Sequence, residues 1–116
     1  MGNPVVHFEV LGKDVKSLQN FYNSAFGWEM KPVMAEYTMA TPGGPTGING
    51  GIGAAMGGGA GHVTFYVAVD DLGAALKKIE SLGGRTISGP MDVPGGPSIA
   101  MFADPEGHVI GLVKGM

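Results

Sequence analysis

The chain is written twice. A constant offset of 57 residues carries His7-Phe-Glu-Val10 onto Thr64-Phe-Tyr-Val67, Asp14 onto Asp71 and Gly27 onto Gly84. Each copy reads strand, acidic cap, helix, glycine stop, strand. A supersecondary unit used twice implies that neither copy buries its apolar face alone. The repeat also gives every candidate residue a counterpart. His7 is matched by Thr64, and Glu9 by Tyr66.

Local signals fill in each copy. Val5 to Leu11 alternates and is rich in strand formers. Asp14 stands where a side chain would accept the unpaired N–H groups of a first helical turn. Val15, Leu18, Phe21, Tyr22, Ala25 and Phe26 recur at helical spacing, and Gly27 stops the helix. Phe21 and Tyr22 are expected in the core. Trp28–Val33, Glu36–Thr41 and Gly47–Ala55 read as strands, the last weakened by its glycines. Gly57–Gly61 reads as the hinge between copies. His62–Val69 opens the second copy, and Asp70 or Asp71 caps a helix carrying Leu72, Ala75, Leu76, Ile79 and Leu82. Arg85–Ser88 is a short strand and Met91–Pro97 a loop. Ser98–Ala103 and His108–Lys114 are strands joined by Asp104-Pro105-Glu106-Gly107, whose aspartate, proline and glycine suit a tight turn. The order is βαβββ, twice.

Bulk properties narrow the class. The 116 residues suit one domain, with module one at about 1–56 and module two at about 61–116. A net charge of −3 and no lysine or arginine run argue against nucleic-acid binding. With no cysteine there is neither a disulfide framework nor a thiolate metal site, and a cytoplasmic location is expected. The opening Met-Gly-Asn-Pro lacks a basic segment followed by an apolar run, so no signal peptide is expected. No apolar stretch reaches membrane-spanning length, so no membrane partner is expected. The 22 glycines concentrate between Gly43 and Gly61 and at Gly95-Gly96, which points to loops rather than disorder.

Several pieces together carry a family resemblance. They are His7-Phe-Glu-Val, Asp14 through Phe21-Tyr22 to Phe26-Gly27-Trp28-Glu29, Val69-Asp70-Asp71-Leu72, and Phe102-Ala-Asp-Pro-Glu-Gly-His108. The chain resembles the vicinal oxygen chelate superfamily, the glyoxalase, bleomycin-resistance and extradiol-dioxygenase fold. The resemblance implies an α+β fold of two βαβββ modules, forming a curled, open-barrel mixed sheet with helices outside. It also implies a homodimer and a cavity that in many members holds a divalent metal. The family's ligands come from early in the first strand of each module and from a carboxylate or amide late in the fourth.

Tested residue by residue, that ligand set is depleted. His7 stands at the first-strand position, but its mate is Thr64. The fourth-strand positions fall near Gly111 and Gly51, which have no side chain to offer. A catalytic zinc site normally needs three protein ligands. No cofactor is therefore expected, a divalent metal on His7 and His62 being the alternative. His62 shares a strand face with Thr64, yet reads as a strand-entry residue touching solvent. His108 reads as surface polar.

Alternation puts Phe8, Val10, Phe65 and Val67 under the helices. His7, Glu9, Thr64 and Tyr66 then line the cavity, with Tyr37, Met39, Met101 and Phe102 as further wall. A few converging polar groups among apolar neighbours describe a small-molecule site. Glu9 beside His7 would raise the imidazole pKa, and the pair could act as a general base. Two readings follow. One is a metal-independent small-molecule-binding protein. The other is a metal-dependent lyase, isomerase or dioxygenase using His7 and Glu9.

Overall fold

A computed structural model describes residues 2–55 and 59–115. Gly57 and Gly58 of the expected hinge lie outside the described residues. The chain divides into two units, one of His7–Val63, the other of residues up to Val6 together with those from Thr64 onward. Among the described residues, eight strands and two helices follow the βαβββ order twice, in the α+β class.

The first unit takes most of β1 (Val5–Gly12), then α1 (Val15–Phe26), β2 (Glu29–Met34), β3 (Tyr37–Thr41) and β4 (Gly50–Ala54). Its strand order is β2-β3-β4-β1. β1 and β4 run parallel, and the other pairs are antiparallel. The Asp14 carboxylate accepts the Ser17 N–H at 3.0 Å, a bond whose loss typically costs about 1 kcal/mol. Gly27 ends α1 at φ 72°, a left-handed conformation that glycine adopts without a Cβ clash. One sheet face packs on α1. Val10, Ala40 and Ile52 form its centre, with Phe8, Leu18, Tyr22, Trp28 and Met30 around them. Tyr22 and Trp28 stack with centroids 5.3 Å apart and planes 8° from parallel. Ile52 is fully buried, and burying such a side chain stabilises the fold by about 1.5–3 kcal/mol.

The second unit contains β5 (His62–Ala68) from Thr64 on, α2 (Leu72–Ser81), β6 (Arg85–Asp92), β7 (Ser98–Ala103) and β8 (Val109–Lys114). Its order is β5-β8-β7-β6, with β5 and β8 parallel. Asp71, not Asp70, caps α2, accepting the Ala74 N–H at 2.9 Å. Leu72, Leu76, Ala100 and Leu112 make the core, joined by Val67, Val69, Ala75, Ile79 and Phe102.

Four expectations need correction. Phe21 is 60 % exposed, because α1 turns Leu18 and Tyr22 inward and leaves Phe21 edge-on to the Tyr22 ring. Phe65 is 40 % exposed, because the α2 core takes in Val67 and Val69 but not Phe65. Helix α2 has ten residues against twelve in α1, about 3 Å less axial reach. Phe102 packs in that core rather than beside Met101, since neighbours on a strand face opposite ways. Finally, β6 continues to Asp92 where a loop was expected. Two register shifts carry it past Gly89-Pro90, and as an edge strand it tolerates proline.

Candidate functional site

On the sheet face away from α1, β1 presents His7 and Glu9, two residues apart and both buried. They meet through a third side chain. The Tyr37 hydroxyl donates to Glu9 Oε2 at 3.0 Å and lies 3.0 Å from His7 Nε2. A hydroxyl has one proton, and an ionised carboxylate can only accept. With that proton directed at Glu9 Oε2, the tyrosine oxygen is left to accept from His7 Nε2–H. The second carboxylate oxygen, Oε1, lies 3.4 Å from His62 Nε2. Four side chains from three strands thus form one directed chain, His7 to Tyr37 to Glu9, with His62 at the other carboxylate oxygen.

Glu9 pulls the His7 pKa upward as expected, but the net shift is downward. Burial, which penalises the charged ring, pulls the His7 pKa below its ordinary 6.5, and the opposing pull of the Glu9 carboxylate is smaller. The downward shift favours the neutral imidazole, and the hydrogen-bond directions put a proton on its Nε2. His62 is also more than a solvent-facing entry residue. Its side chain is 40 % exposed, yet its ring reaches Glu9. The Gly61 turn before it, at φ 91°, passes so close to the Leu11 carbonyl that any Cβ there would collide with it.

The placement of Tyr37 follows from its neighbours. It is the first residue of β3, after a turn in which Glu36 adopts φ 60°. The Glu36 carbonyl accepts the Ala54 N–H at 3.0 Å and fixes this corner on β4. Tyr37 pairs with Gly53, while Gly51 pairs with both Met39 and Glu9. The ring lies flat across the two glycines, so a Cβ on Gly51 would strike its hydroxyl and one on Gly53 its edge. On the opposite sheet face, the Phe8 ring covers Gly50 in the same way. The glycines of β4 are therefore the floor on which aromatic rings rest. Met39, half-buried, shares the Tyr37 face.

The remaining expected residues belong to the second unit. Thr64 is buried and donates its hydroxyl to the Val109 carbonyl at 2.8 Å. Tyr66 is buried with its ring across Gly111, its register partner. Met101 pairs with Gly111 from the other side. His108 is exposed as expected, with Nδ1 2.9 Å from Asp104 Oδ2. Backbone hydrogen bonding from His108 holds the Asp104 carboxyl below its ordinary pKa.

The family's metal-ligand pattern does not fit these residues. Of its four strand positions, only His7 carries a donor of the usual kind. Positions 51 and 111 are glycines roofed by tyrosine rings, and Thr64 is turned to a backbone carbonyl. Among the described residues, no group of three or more His, Cys, Asp or Glu side chains is arranged to hold an ion.

Sequence reasoning missed the central role of Tyr37, naming it only as wall. The available signal was its position opposite Gly50-Gly51-Ile52-Gly53, since glycines in a strand mark close approach by another group.

Comparison with known proteins agrees with this architecture. The Glyoxalase/Bleomycin resistance protein/Dioxygenase superfamily profile matches residues 5–112. The chain is 32 % identical, over 124 aligned positions and 86 % of its length, to the anthracycline biosynthesis protein DnrV of Streptomyces peucetius. It spans 42 % of that relative's length. A glyoxalase/bleomycin resistance protein/dioxygenase superfamily member from Vibrio splendidus superimposes with a TM-score of 0.66 at 17 % identity, covering 97 % of this chain and 99 % of that one. Methylmalonyl-CoA epimerase from Mycobacterium tuberculosis gives 0.62 at 17 % identity, over 95 % and 86 %. At such identities the two structures speak for the fold alone. The profile match across nearly the whole chain decides the family: this protein belongs to the glyoxalase/bleomycin resistance protein/dioxygenase superfamily.

Proposed function

We propose that this chain binds a small organic molecule without the family metal, at the face of the first unit carrying His7, Tyr37, Glu9 and His62. The observation that carries this reading is the hydrogen-bonded chain His7–Tyr37–Glu9, with His7 and Glu9 buried and Tyr37 half-buried. Burying a carboxylate and an imidazole is costly, and a fold retains them when they are hydrogen-bonded and put to use. Half-buried Met39 beside them supplies adaptable apolar surface. DnrV is named for anthracycline biosynthesis, so aromatic antibiotics and their precursors head the ligand panel. The same reading, by resemblance to the family, makes the protein a cytoplasmic homodimer.

The test is a thermal-shift screen of purified protein against that panel and a metabolite set, with and without divalent ions. A true ligand raises the melting point with its concentration, and Glu9→Gln weakens the response. A panel without any shift, or a shift that appears only with a divalent ion, would overturn the reading.

A second reading is favoured by the Glu9–His62 contact. A half-exposed imidazole 3.4 Å from a carboxylate is an arrangement able to hold and pass a proton. It makes the protein an enzyme of the lyase or isomerase kind. Turnover abolished by His62→Ala, with ligand affinity retained, would select it over simple binding.

A further inference from the structure

We infer that Tyr37 has taken the place of a fourth-strand metal ligand, so that ring and ligand side chain exclude one another and the site engages its molecule through hydrogen bonds rather than through an ion. This rests on the proposed metal-independent reading and specifies how that independence is built. Glu9 and Met39 both pair with Gly51, so any side chain at position 51 would project onto the face of His7 and Glu9. That space is filled. The Tyr37 ring crosses Gly51 and Gly53, and its hydroxyl sits where the 51 side chain would begin.

The hydroxyl also occupies the point on which the two neighbouring side chains converge, 3.0 Å from His7 Nε2 and 3.0 Å from Glu9 Oε2. An ion there would need the same two side chains that the phenol now uses. The backbone holds the ring in place, through the Glu36 turn at φ 60° and the bond from Ala54 N–H to the Glu36 carbonyl. Gly51, Gly53 and Tyr37 thus form one device. The glycines make room for the phenol, and the phenol replaces the missing carboxylate as the polar group at the centre. Tyr37 is on this basis a positioning residue for Glu9 and His7 and a determinant of what the site accepts.

The consequence can be tested by metal content, without knowing the ligand. Wild type, Gly51→Glu, Tyr37→Ala and the double variant Tyr37→Ala/Gly51→Glu are each equilibrated with Mn²⁺, Ni²⁺ or Zn²⁺, desalted, and analysed for bound ion. Wild type and Gly51→Glu are expected to retain none. The double variant brings His7, Glu9 and a new carboxylate together, three ligands of the usual kind, and is expected to retain about one ion per chain. Adding His7→Ala should remove it. Should the double variant fail to fold, Tyr37→Ser/Gly51→Asp carries the same comparison with smaller groups. Gly51→Glu loading as fully as the double variant, or folded double variants that stay empty, would overturn the inference while leaving the metal-independent reading intact. Stoichiometric ion in wild type would instead sink that reading and the inference with it.

Discussion

Both units lay a tyrosine flat on a glycine of their fourth strand, but they bring it from different strands. In the first unit Tyr37 comes from β3 and lies over Gly51. In the second Tyr66 comes from β5, the repeat's first strand, and lies over Gly111. Glu9 and Tyr66 occupy matching places, each in register with that glycine. The repeat conserves the location of an aromatic roof and not the residue that supplies it. The polar residues differ more. Thr64 is satisfied by a backbone carbonyl, whereas His7 and Glu9 are tied to other side chains through Tyr37. Thr64 ends on the backbone, and the first unit carries a side-chain hydrogen-bond chain at the matching strand.

That contrast can be broken by substitution, most forcefully at the roofs. Tyr66→Ala removes a buried aromatic side chain and should cost about 3–5 kcal/mol in urea unfolding. Gly111→Ala forces a methyl group into the same ring and should cost about 1–3 kcal/mol. A cost below about 0.5 kcal/mol for both would mean that Tyr66 is not seated on Gly111.

Hydrogen-bond deletions come next and sharpen the comparison. Tyr37→Phe removes the hydroxyl that donates to the buried Glu9 carboxylate and should cost about 1–3 kcal/mol, while Thr64→Val should cost about 1 kcal/mol. Equal losses would erase the distinction between the side-chain chain at Tyr37 and the backbone bond of Thr64. The helix caps serve as an internal control, since Asp14 and Asp71 do the same job in both units. Alanine at either should cost about 1 kcal/mol, and the two losses should agree closely.

The smallest effect concerns pH. His7 has a lowered pKa in the folded protein, so between that value and 6.5 the unfolded chain binds more protons than the native one. Stability contributed by this group therefore rises with pH through that window and falls as pH drops below about 6.5. His7→Gln should flatten this slope, and Thr64→Val should leave it unchanged. A slope that persists in His7→Gln would place its origin elsewhere.

What was legible in the sequence was whatever depends on period and position. The offset of 57, the capping aspartates, Gly27 and the Asp104–Gly107 turn fix the element order, and alternation correctly assigns Val10, Val67, His7 and Glu9 to their faces. The errors lie where tertiary reach decides. Phe21 fits the helical period but misses the sheet, Phe65 fits the alternation but lies outside the α2 core, and β6 continues through a Gly-Pro pair by bulging. At the site, His7 and Glu9 were identifiable as strand-face neighbours. The group linking them stands 28 residues beyond Glu9, and its role depends on the glycines of a third strand. The sign of the His7 shift was misjudged for a related reason. A neighbouring charge is visible in sequence, while the burial that outweighs it is a property of the assembled sheet.

The most direct check on the hydrogen-bonded centre is the protonation state of His7, read from its imidazole ¹⁵N shifts in wild type and Tyr37→Phe at neutral pH. A neutral ring with its proton on Nε2, and a clear shift change when the phenol oxygen is removed, is the expected result. A ring with its proton on Nδ1 alone, or one indifferent to the loss of the Tyr37 hydroxyl, would contradict the idea that Tyr37 joins His7 to Glu9.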